Sequence, residues 1–526
     1  MDWSSLSVWG DVARANASAF AGKAAFVGPA GAVGFESLNR RINRLNNALA
    51  RLGLAKGDRV AIASRNRPEF FEAYGVAKSG LIAVPLNWRL APRELLHTIR
   101  DSEPRVILAE PEFTASIDRL RPEFQDMRHF VAFDRTAQGW LGYETLLEGA
   151  GDEEPRAEVA PDDTLCLMYT SGTTGKPKGA ALTHRALLAN CRAGIASLGL
   201  DRDDVTLAVM PLFHVGSMWY HLFPSFARGC TSVILPDFEP GAVLAAMREQ
   251  RVTNMQLVPT MIQRVLASPQ IRDLDCSRLR TFHYAASTIP VALLRRAIEV
   301  FRGCGFVQGY GSTEAGMIAA LMPEDHVRAV RDPAFAELLA SCGRPLPGVN
   351  VRIAGADGED CPAGTVGDIL VQSAHTMSGY WRYPEATRLA MSGGWLATGD
   401  LGRIGEAGFL TIVDRKHDMI VSGGENVYPS EVENVLYQDP EVLEAAVFGL
   451  PDAVWVEKVT AAVVLRPGRS ATAGDIIGRA RAQLAAYKCP KTIIFAESLP
   501  KNAAGKVLRK ELRQQYRSHA AECRSS

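Results

Sequence analysis

Between Tyr169 and Gly179 the chain gathers three glycines, two lysines and a run of hydroxyl side chains. Gly172 and Gly175 let backbone N–H groups come close to an anion. Thr170, Ser171, Thr173 and Thr174 add donors, and Lys178 adds positive charge. These are the groups that hold phosphates. The spacing is not that of a P-loop, which needs Gly-x4-Gly-Lys-Ser/Thr. Here the two glycines are three apart, and Lys176 is followed by Pro177. The bland alternative is a flexible surface connection, but low complexity alone rarely yields this ordered set.

Other stretches could share the chemistry. Gln308, Gly309, Tyr310, Gly311, Ser312, Thr313 and Glu314 combine an aromatic ring, two glycines, hydroxyls and one carboxylate. The run from Gly394 reads as a loop ending in the acid Asp400, and Asp414 and Arg415 stand side by side. Pro500 to Lys506 places a lysine on a glycine turn. Each stretch alone is weak, and a Tyr-Gly-x-Thr-Glu string by itself reads as a plain turn.

The elements that would position these groups follow from periodicity. Thr164 to Met168 is apolar and reads as a buried strand, and Thr183 is a plausible N-cap for a helix just after it. The phosphate-type residues therefore fall in a loop between two rigid elements. Residues 35–60 open with a helical stripe of Leu38, Ile42, Leu45, Leu49 and Leu52, with Gly53 as a stop. Strands near 60–64, 83–87 and 106–109 alternate with helices over 68–78 and 92–100. Strands that are apolar throughout and alternate with helices predict a parallel sheet covered on both faces. The pattern returns with strands near 205–210, 231–235, 254–258 and 279–285, and helices over 242–252 and 291–301. A cleft between two such sheets is a natural ligand site. From about 340, strands near 349–353, 367–371 and 408–413 separated by glycine turns predict a smaller antiparallel unit. After the charged run Asp414 to Asp418, helices near 430–437 and 474–484 and strands near 444–448, 458–465 and 492–495 predict a compact final module. The expected fold is thus α/β. It has a large N-terminal domain, 1–414, of two stacked α/β sheet layers plus a small β subdomain, and a mobile smaller α+β domain, 415–526.

The chain has 526 residues, too many for one core. Lys plus Arg and Asp plus Glu both number 58, which argues against nucleic acid as the main partner. No apolar run is long enough to span a membrane. The start, Met1 to Leu6, lacks a secretory pattern, and Cys523 to Ser526 carries no prenylation or peroxisomal signal. Nine cysteines are scattered with no Cys-x-x-Cys pair, so neither a zinc site nor a disulfide framework is expected. These features predict a reduced cytoplasmic protein. A homodimer stays open beside a monomer. From Ile476 to Arg517, ten basic residues face two acidic ones, either a solvated surface or one suited to a polyanion.

The five motifs in this order resemble the adenylate-forming superfamily of acyl-CoA synthetases, luciferases and peptide-synthetase adenylation domains, over roughly residues 35–510. The resemblance implies that ATP converts a carboxylic acid to an acyl-adenylate and pyrophosphate, and that a thiol, here CoA, then displaces AMP. By resemblance, Thr170, Ser171, Gly172, Thr173, Thr174, Gly175 and Lys178 hold the β- and γ-phosphates. Glu314 is the Mg²⁺ ligand, and Thr313 touches the α-phosphate. Tyr310 stacks on adenine within Gln308, Gly309, Gly311 and Ser312. Asp400 accepts bonds from the ribose hydroxyls, with Arg415 close by. Lys506 bridges the substrate carboxylate and the α-phosphate. The small domain rotates between the half-reactions about a pivot at His417, where many relatives carry Asp or Lys. Rotation withdraws Lys506 and brings in Ser422, Gly423 and Gly424, past which a pantetheine arm could run.

The acyl pocket follows from the same likeness. His214, in Pro211-Leu-Phe-His, lines the carboxylate entrance, with a packed core histidine as the alternative. The family's Gly-Gly-Ala-Pro turn before the adenine site is Ala285, Ala286, Ser287 and Thr288 here. Val258, Pro259, Met261, Met317 and Ile318 suggest an apolar lining, so a fatty or aryl monocarboxylate is preferred to a dicarboxylate. A short-chain acid, transfer to a carrier protein, and a non-catalytic binding relative are the competing readings. The short spacing after Arg415 shows no insertion of the kind carried by fatty acyl-AMP ligases, and the full motif set argues against a non-catalytic protein.

Overall fold

The computed structural model describes residues 3–124, 126–134, 138–170, 177–287, 289–422, 425–452, 454–502 and 506–517. Among these residues the chain forms four sheets. Two are the stacked layers expected from the strand–helix alternation. One runs, edge to edge, Gly379–Tyr380, Lys178–Thr183, Thr164–Thr170, Ile82–Pro85, Arg59–Ala63, Val106–Ala109, His129–Ala132 and Leu141–Gly142. Its strands from Thr164–Thr170 onward pair in parallel.

The other sheet has a parallel centre of Gly305–Ser312, Thr281–Ala285, Asn254–Leu257, Val205–Ala208, Thr231–Ile234 and Ala24–Gly28. Its antiparallel edges are Gly316–Leu321 with Arg344–Pro345 on one side and Gly31–Gly34 on the other. The hairpin of Ala24–Gly28 and Gly31–Gly34 was not foreseen. It completes a sheet whose other strands start some 170 positions later, a pairing no local pattern reveals.

An apolar core fills the space between the layers. Trp9, Phe26, Phe71, Phe223 and Phe226 meet there with ring centroids 4.7 to 6.1 Å apart. Each such side chain contributes about 1.5–3 kcal/mol on full burial. Four separate segments of the chain are thereby fixed against one another.

Several local expectations change. The first helix, Phe35–Arg51, stops where Gly53 was expected to end it, and Gly53 turns the chain with φ +85°. Thr183 does cap a helix, His184–Leu198, its Oγ1 accepting the Ala186 N–H at 3.1 Å. The element before it is a strand, however. Lys178–Thr183 pairs antiparallel with Thr164–Thr170 up to the register pair Thr170 and Lys178. The elements flanking the phosphate-type residues are therefore two paired antiparallel strands, not a strand and a helix. Residues Ser171, Gly172, Thr173, Thr174 and Gly175 lie outside the described residues, as do Thr288, Gly423 and Gly424. The stretch read as a loop ending in Asp400 is also a strand, Trp395–Ile404, inside the antiparallel unit with Val349–Ala354, Gly367–Ser373, Met391–Ser392 and Leu410–Arg415.

The last sheet comprises Glu425–Val427, Ile420–Ser422, Val456–Leu465, Val442–Asp452 and Thr492–Phe495. Its apolar residues, among them Val432, Val447, Val463 and Ile476 on one side and Phe448, Leu499 and Leu512 on the other, form clusters drawn only from residues beyond 419.

Candidate active site

The strand Gly305–Ser312 carries the centre of the site. Gly311 must be glycine here, because a Cβ would stand 2.3 Å from the Gly316 carbonyl oxygen. The Tyr310 side chain is buried, and its hydroxyl donates to Asp400 Oδ2 at 2.7 Å. Burial, with the Asp400 carboxylate beside it, pushes this phenol well above its ordinary value. The hydroxyl therefore keeps its proton and stays a donor. Asp400 is only 3% exposed, and its other oxygen meets Arg415 Nε at 2.6 Å. That pair is set by sheet register, since Asp400 and Arg415 face each other across Trp395–Ile404 and Leu410–Arg415. The Asp400 N–H donates to Thr398 Oγ1 at 3.1 Å. A buried carboxylate held by a phenol and a guanidinium is fixed in direction.

Past the strand end, Ser312 and Glu314 are held by two tyrosines that sequence reasoning missed. Tyr220 donates to the Ser312 carbonyl oxygen at 2.6 Å, and Tyr380 donates to Glu314 Oε1 at 3.0 Å. The Lys178 ammonium lies 5.2 Å from the centre of the Tyr380 ring. Thr170 is the register partner of Lys178, so the hairpin base, Tyr380 and Glu314 form one group. Tyr380 gave no signal in sequence. Gly379–Tyr380 is two residues long and acts only by pairing with Lys178–Thr183. Thr313 sits between Ser312 and Glu314 in the connecting turn.

Ala285 pairs in register with Gly309, which brings the turn Ala285, Ala286 and Ser287 beside the Gln308–Thr313 run. Ala286 takes φ +76°, a left-handed conformation that favours glycine. His214 precedes a short helical turn, and its Nδ1 accepts the Gly216 N–H at 3.3 Å. Burial lowers its pKa, so the ring is neutral with its proton on Nε2.

Lys506 comes from the final module and reaches the same place. The charges acting on it are those of Arg415, Asp400, Arg509 and Asp418. Burial first, and then Arg415, pull its ammonium down to about 8, with Asp400 opposing. Its turn is closed by Asn502, whose Oδ1 accepts the Lys506 N–H at 2.9 Å and whose N–H donates to the Lys506 carbonyl at 2.8 Å. Three residues on, Arg509 grips the buried Glu433 at 2.7 and 2.8 Å and Asp418 at 3.4 Å. Arg513 adds a second cation to Asp418 at 3.2 Å. The lysine arm is thus tied to the turn that contains His417. Ser422 is not part of this group: its pairing partners, Glu425 and Val456, both belong to the last sheet.

The site therefore couples a buried carboxylate–cation pair, suited to a sugar diol, to a carboxylate beside a phosphate-type hairpin and to a lysine delivered from a separate module. The model of the AMP-binding enzyme family matches residues 13–381, and that of the AMP-binding enzyme C-terminal domain matches residues 431–506. The indoleacetate–CoA ligase of Aromatoleum aromaticum is 39% identical over 496 residues, 94% of this chain and 95% of its own length. The long-chain-fatty-acid–CoA ligase FadD13 of Mycobacterium tuberculosis is 36% identical over 487 residues, 92% of this chain and 93% of its own. The structure of the anthranilate CoA ligase AuaEII in complex with anthranoyl-AMP superposes with a TM-score of 0.90 at 30% identity, covering 99% of this chain and 100% of that one.

Fold and site together define an acid-activating enzyme of the adenylate-forming class. The chain belongs to the AMP-binding enzyme family. It is an AMP-forming carboxylic acid–CoA ligase, with ATP and CoA as substrates beside the acid.

Proposed function

We propose that the residues gathered around Asp400 and Lys506 divide the two half-reactions between them. The observation that carries this is the convergence of Lys506, from the last module, on the Asp400–Arg415 pair of the preceding one. In the first half-reaction a carboxylate oxygen of the acid attacks the α-phosphorus of ATP, and the bond to pyrophosphate breaks. Asp400 accepts the ribose hydroxyls, with Arg415 orienting it. The Tyr310 ring flanks adenine together with Ala285, Ala286, Ser287 and the backbone of Gln308, Gly309, Gly311 and Ser312. Thr170, Ser171, Gly172, Thr173, Thr174, Gly175 and Lys178 hold the β- and γ-phosphates, and Thr313 meets the α-phosphate. The Lys506 ammonium bridges the acid carboxylate and the α-phosphate, where negative charge grows in the transition state. His214, neutral and with a proton on Nε2, lines the entry of the carboxylate.

Glu314 fits Mg²⁺. No cluster of three metal-type side chains exists among the described residues, and Mg²⁺ characteristically takes one or two carboxylates and completes its shell with phosphate oxygens and water. When bound, the ion would offset phosphate charge. Tyr380 orients the Glu314 carboxylate for it.

For the second half-reaction we propose that residues 415–526 turn about His417 relative to 1–414. Lys506 is withdrawn, and Ser422, Gly423 and Gly424 line the approach of the CoA thiol, which displaces AMP. The separate apolar clusters beyond residue 419 support a module that moves as one body.

The acid is an alkyl or aryl monocarboxylate. Residues 214–222, 254–262, 281–287 and 307–319 contain no lysine or arginine to pair with a second carboxylate. No described helix is long and apolar enough to cross a membrane, and the eight described cysteines are free thiols. These features support a reducing, cytoplasmic setting. The test is incubation with ATP, Mg²⁺, CoA and a panel of monocarboxylic acids, following AMP, pyrophosphate and CoA. AMP and thioester should form in equal amounts. Pyrophosphate and acyl-adenylate without loss of CoA would point to a carrier-protein acceptor, and neither pyrophosphate nor AMP with any acid would refute the assignment.

A further inference from the structure

Strands in the centre of the larger sheet were expected to be apolar on both faces, and two of them are not. In Asn254–Leu257 and Thr281–Ala285 the side chains of Met255, Leu257, Phe282 and Tyr284 enter one apolar cluster. Asn254, Gln256, Thr281 and His283 alternate with them and face the other way, into the space between the two sheets. Register aligns them: Asn254 lies beside Thr281, and Gln256 beside His283.

This polar row runs straight into the site. One step toward the C-terminal ends of the strands, about 7 Å along, are Ala285 and its register partner Gly309. Ligands of parallel sheets bind beyond those ends. His283 leans over Gly309, and a Cβ there would stand 2.5 Å from His283 Nε2. The roof over the row is the π-turn Met218–Leu222, which continues the segment begun by His214. It contributes His221, whose Nε2 lies 2.9 Å from Asn254 Oδ1 and whose ring centroid is 6.3 Å from that of His283.

Asn254, Gln256, His283 and His221 are 1 to 2% exposed, yet much of their bonding capacity is unused. Both Gln256 side-chain atoms, both His283 ring nitrogens and Asn254 Nδ2 have no hydrogen-bond partner among the described residues. Packing alone would favour the apolar residues found on the opposite face, because each unmet buried donor or acceptor is costly. Burial holds His283 down at about 3 and His221 at about 4, so both rings are neutral. A neutral set of donors and acceptors without lysine or arginine cannot compensate a second carboxylate.

We infer that Gln256 and His283, backed by Asn254 and His221, form a specificity subsite for a neutral hydrogen-bonding group, a hydroxyl or ring N–H, at the end of the acid remote from its carboxylate. This rests on the acid-activating reading and replaces the expectation of a wholly apolar acyl lining with a polar floor. Two of the groups come from parallel strands in register, so donor and acceptor stand side by side and can engage one hydroxyl together.

The test uses the full chain and matched acids: phenylpropanoate against its para-hydroxy derivative, naphthylacetate against indoleacetate, and decanoate against its omega-hydroxy derivative. The expected result is a higher kcat/KM for the polar member, by about 10- to 100-fold in the pair that spans the subsite. Gln256→Leu and His283→Phe should each bring that ratio to within about threefold of unity. The wild-type ratios need no variant, so a variant that fails to fold does not remove the test. Apolar members leading in every pair, or ratios unmoved by both substitutions, would overturn the subsite and leave the ligase reaction standing. No AMP from any of the six acids would sink both.

Discussion

On the nucleotide side of the site, polar groups are already spoken for by the protein. Asp400 is bonded to Tyr310 and Arg415, Glu314 to Tyr380, and the Ser312 carbonyl to Tyr220. A few residues deeper, in the proposed acyl subsite, the Gln256 and His283 side chains are buried as completely and have no hydrogen-bond partner among the described residues. Tyr310 and Ser312 share the larger sheet with Gln256 and His283, and Gly309 sits at the seam between them. The contrast follows from what each face must recognise. The nucleotide is the same in every turnover, so its contacts can be preorganised by partners that share their lone pairs. The acid is what distinguishes one ligase from another. A site reads a substrate hydroxyl strongly only if the groups meant for it have no other partner.

Removing the anchor of the partnered face should have the largest effect. Asp400→Ala strips the acceptor from Tyr310 and leaves Arg415 without its carboxylate, and kcat/KM for ATP should fall about 100- to 1000-fold. Varying ATP and acid separately checks the comparison, because the ratio of kcat/KM values for paired acids should hardly move. Gly309→Ala cuts at the seam. Its new methyl would stand 2.5 Å from His283 Nε2, displacing the ring. Measured the same way, kcat/KM for the acid should drop about 10- to 100-fold while KM for ATP stays within about threefold. Equal damage to both substrates would mean the two faces are not independent.

A smaller effect is expected from pH. Lys506 acts as a cation, and its pKa in the free enzyme is lowered from the ordinary lysine value to about 8. The protonated fraction is full well below that value and lost above it, so kcat/KM for adenylation should fall about tenfold per pH unit beyond about 8. Lys506→Arg should move that limb out of the measurable range, since a guanidinium keeps its proton. The smallest effect belongs to the strained turn on the adenine side. Ala286→Gly relieves a left-handed alanine, offset by the greater freedom of glycine in the unfolded chain, for a net gain of about 0.5–1 kcal/mol. A raised urea midpoint would show it, and a lowered one would mean that the Ala286 methyl packs usefully.

The partnered face was legible in the sequence because its residues come in short local strings: Gln308 to Glu314, Asp414–Arg415, and Lys506 in its glycine turn. What joined them was not. Asp400 was read in a loop because Ala397, Thr398 and Gly399 around it carry no strand signal, and only register with Leu410–Arg415 makes a strand there. The hairpin before His184 was hidden for a similar reason, since Lys178, Gly179 and two alanines are poor strand formers until Thr164–Thr170 pairs with them. The proposed acyl face leaves a fainter trace in the sequence. Asn254-Met255-Gln256-Leu257 and Thr281-Phe282-His283-Tyr284 alternate polar with apolar, which a strand buried on both sides should not do. That the two rows meet, and that Gln256 and His283 lack partners among the described residues, comes from strand registration and burial, which no string of residues states.

Lys506→Ala, assayed separately in the two half-reactions, tests the division of labour most directly. Pyrophosphate release from ATP and acid should fall about 100- to 1000-fold, while thioester formation from supplied acyl-adenylate and CoA should stay within about tenfold of the wild type. Equal loss in both half-reactions would contradict the account.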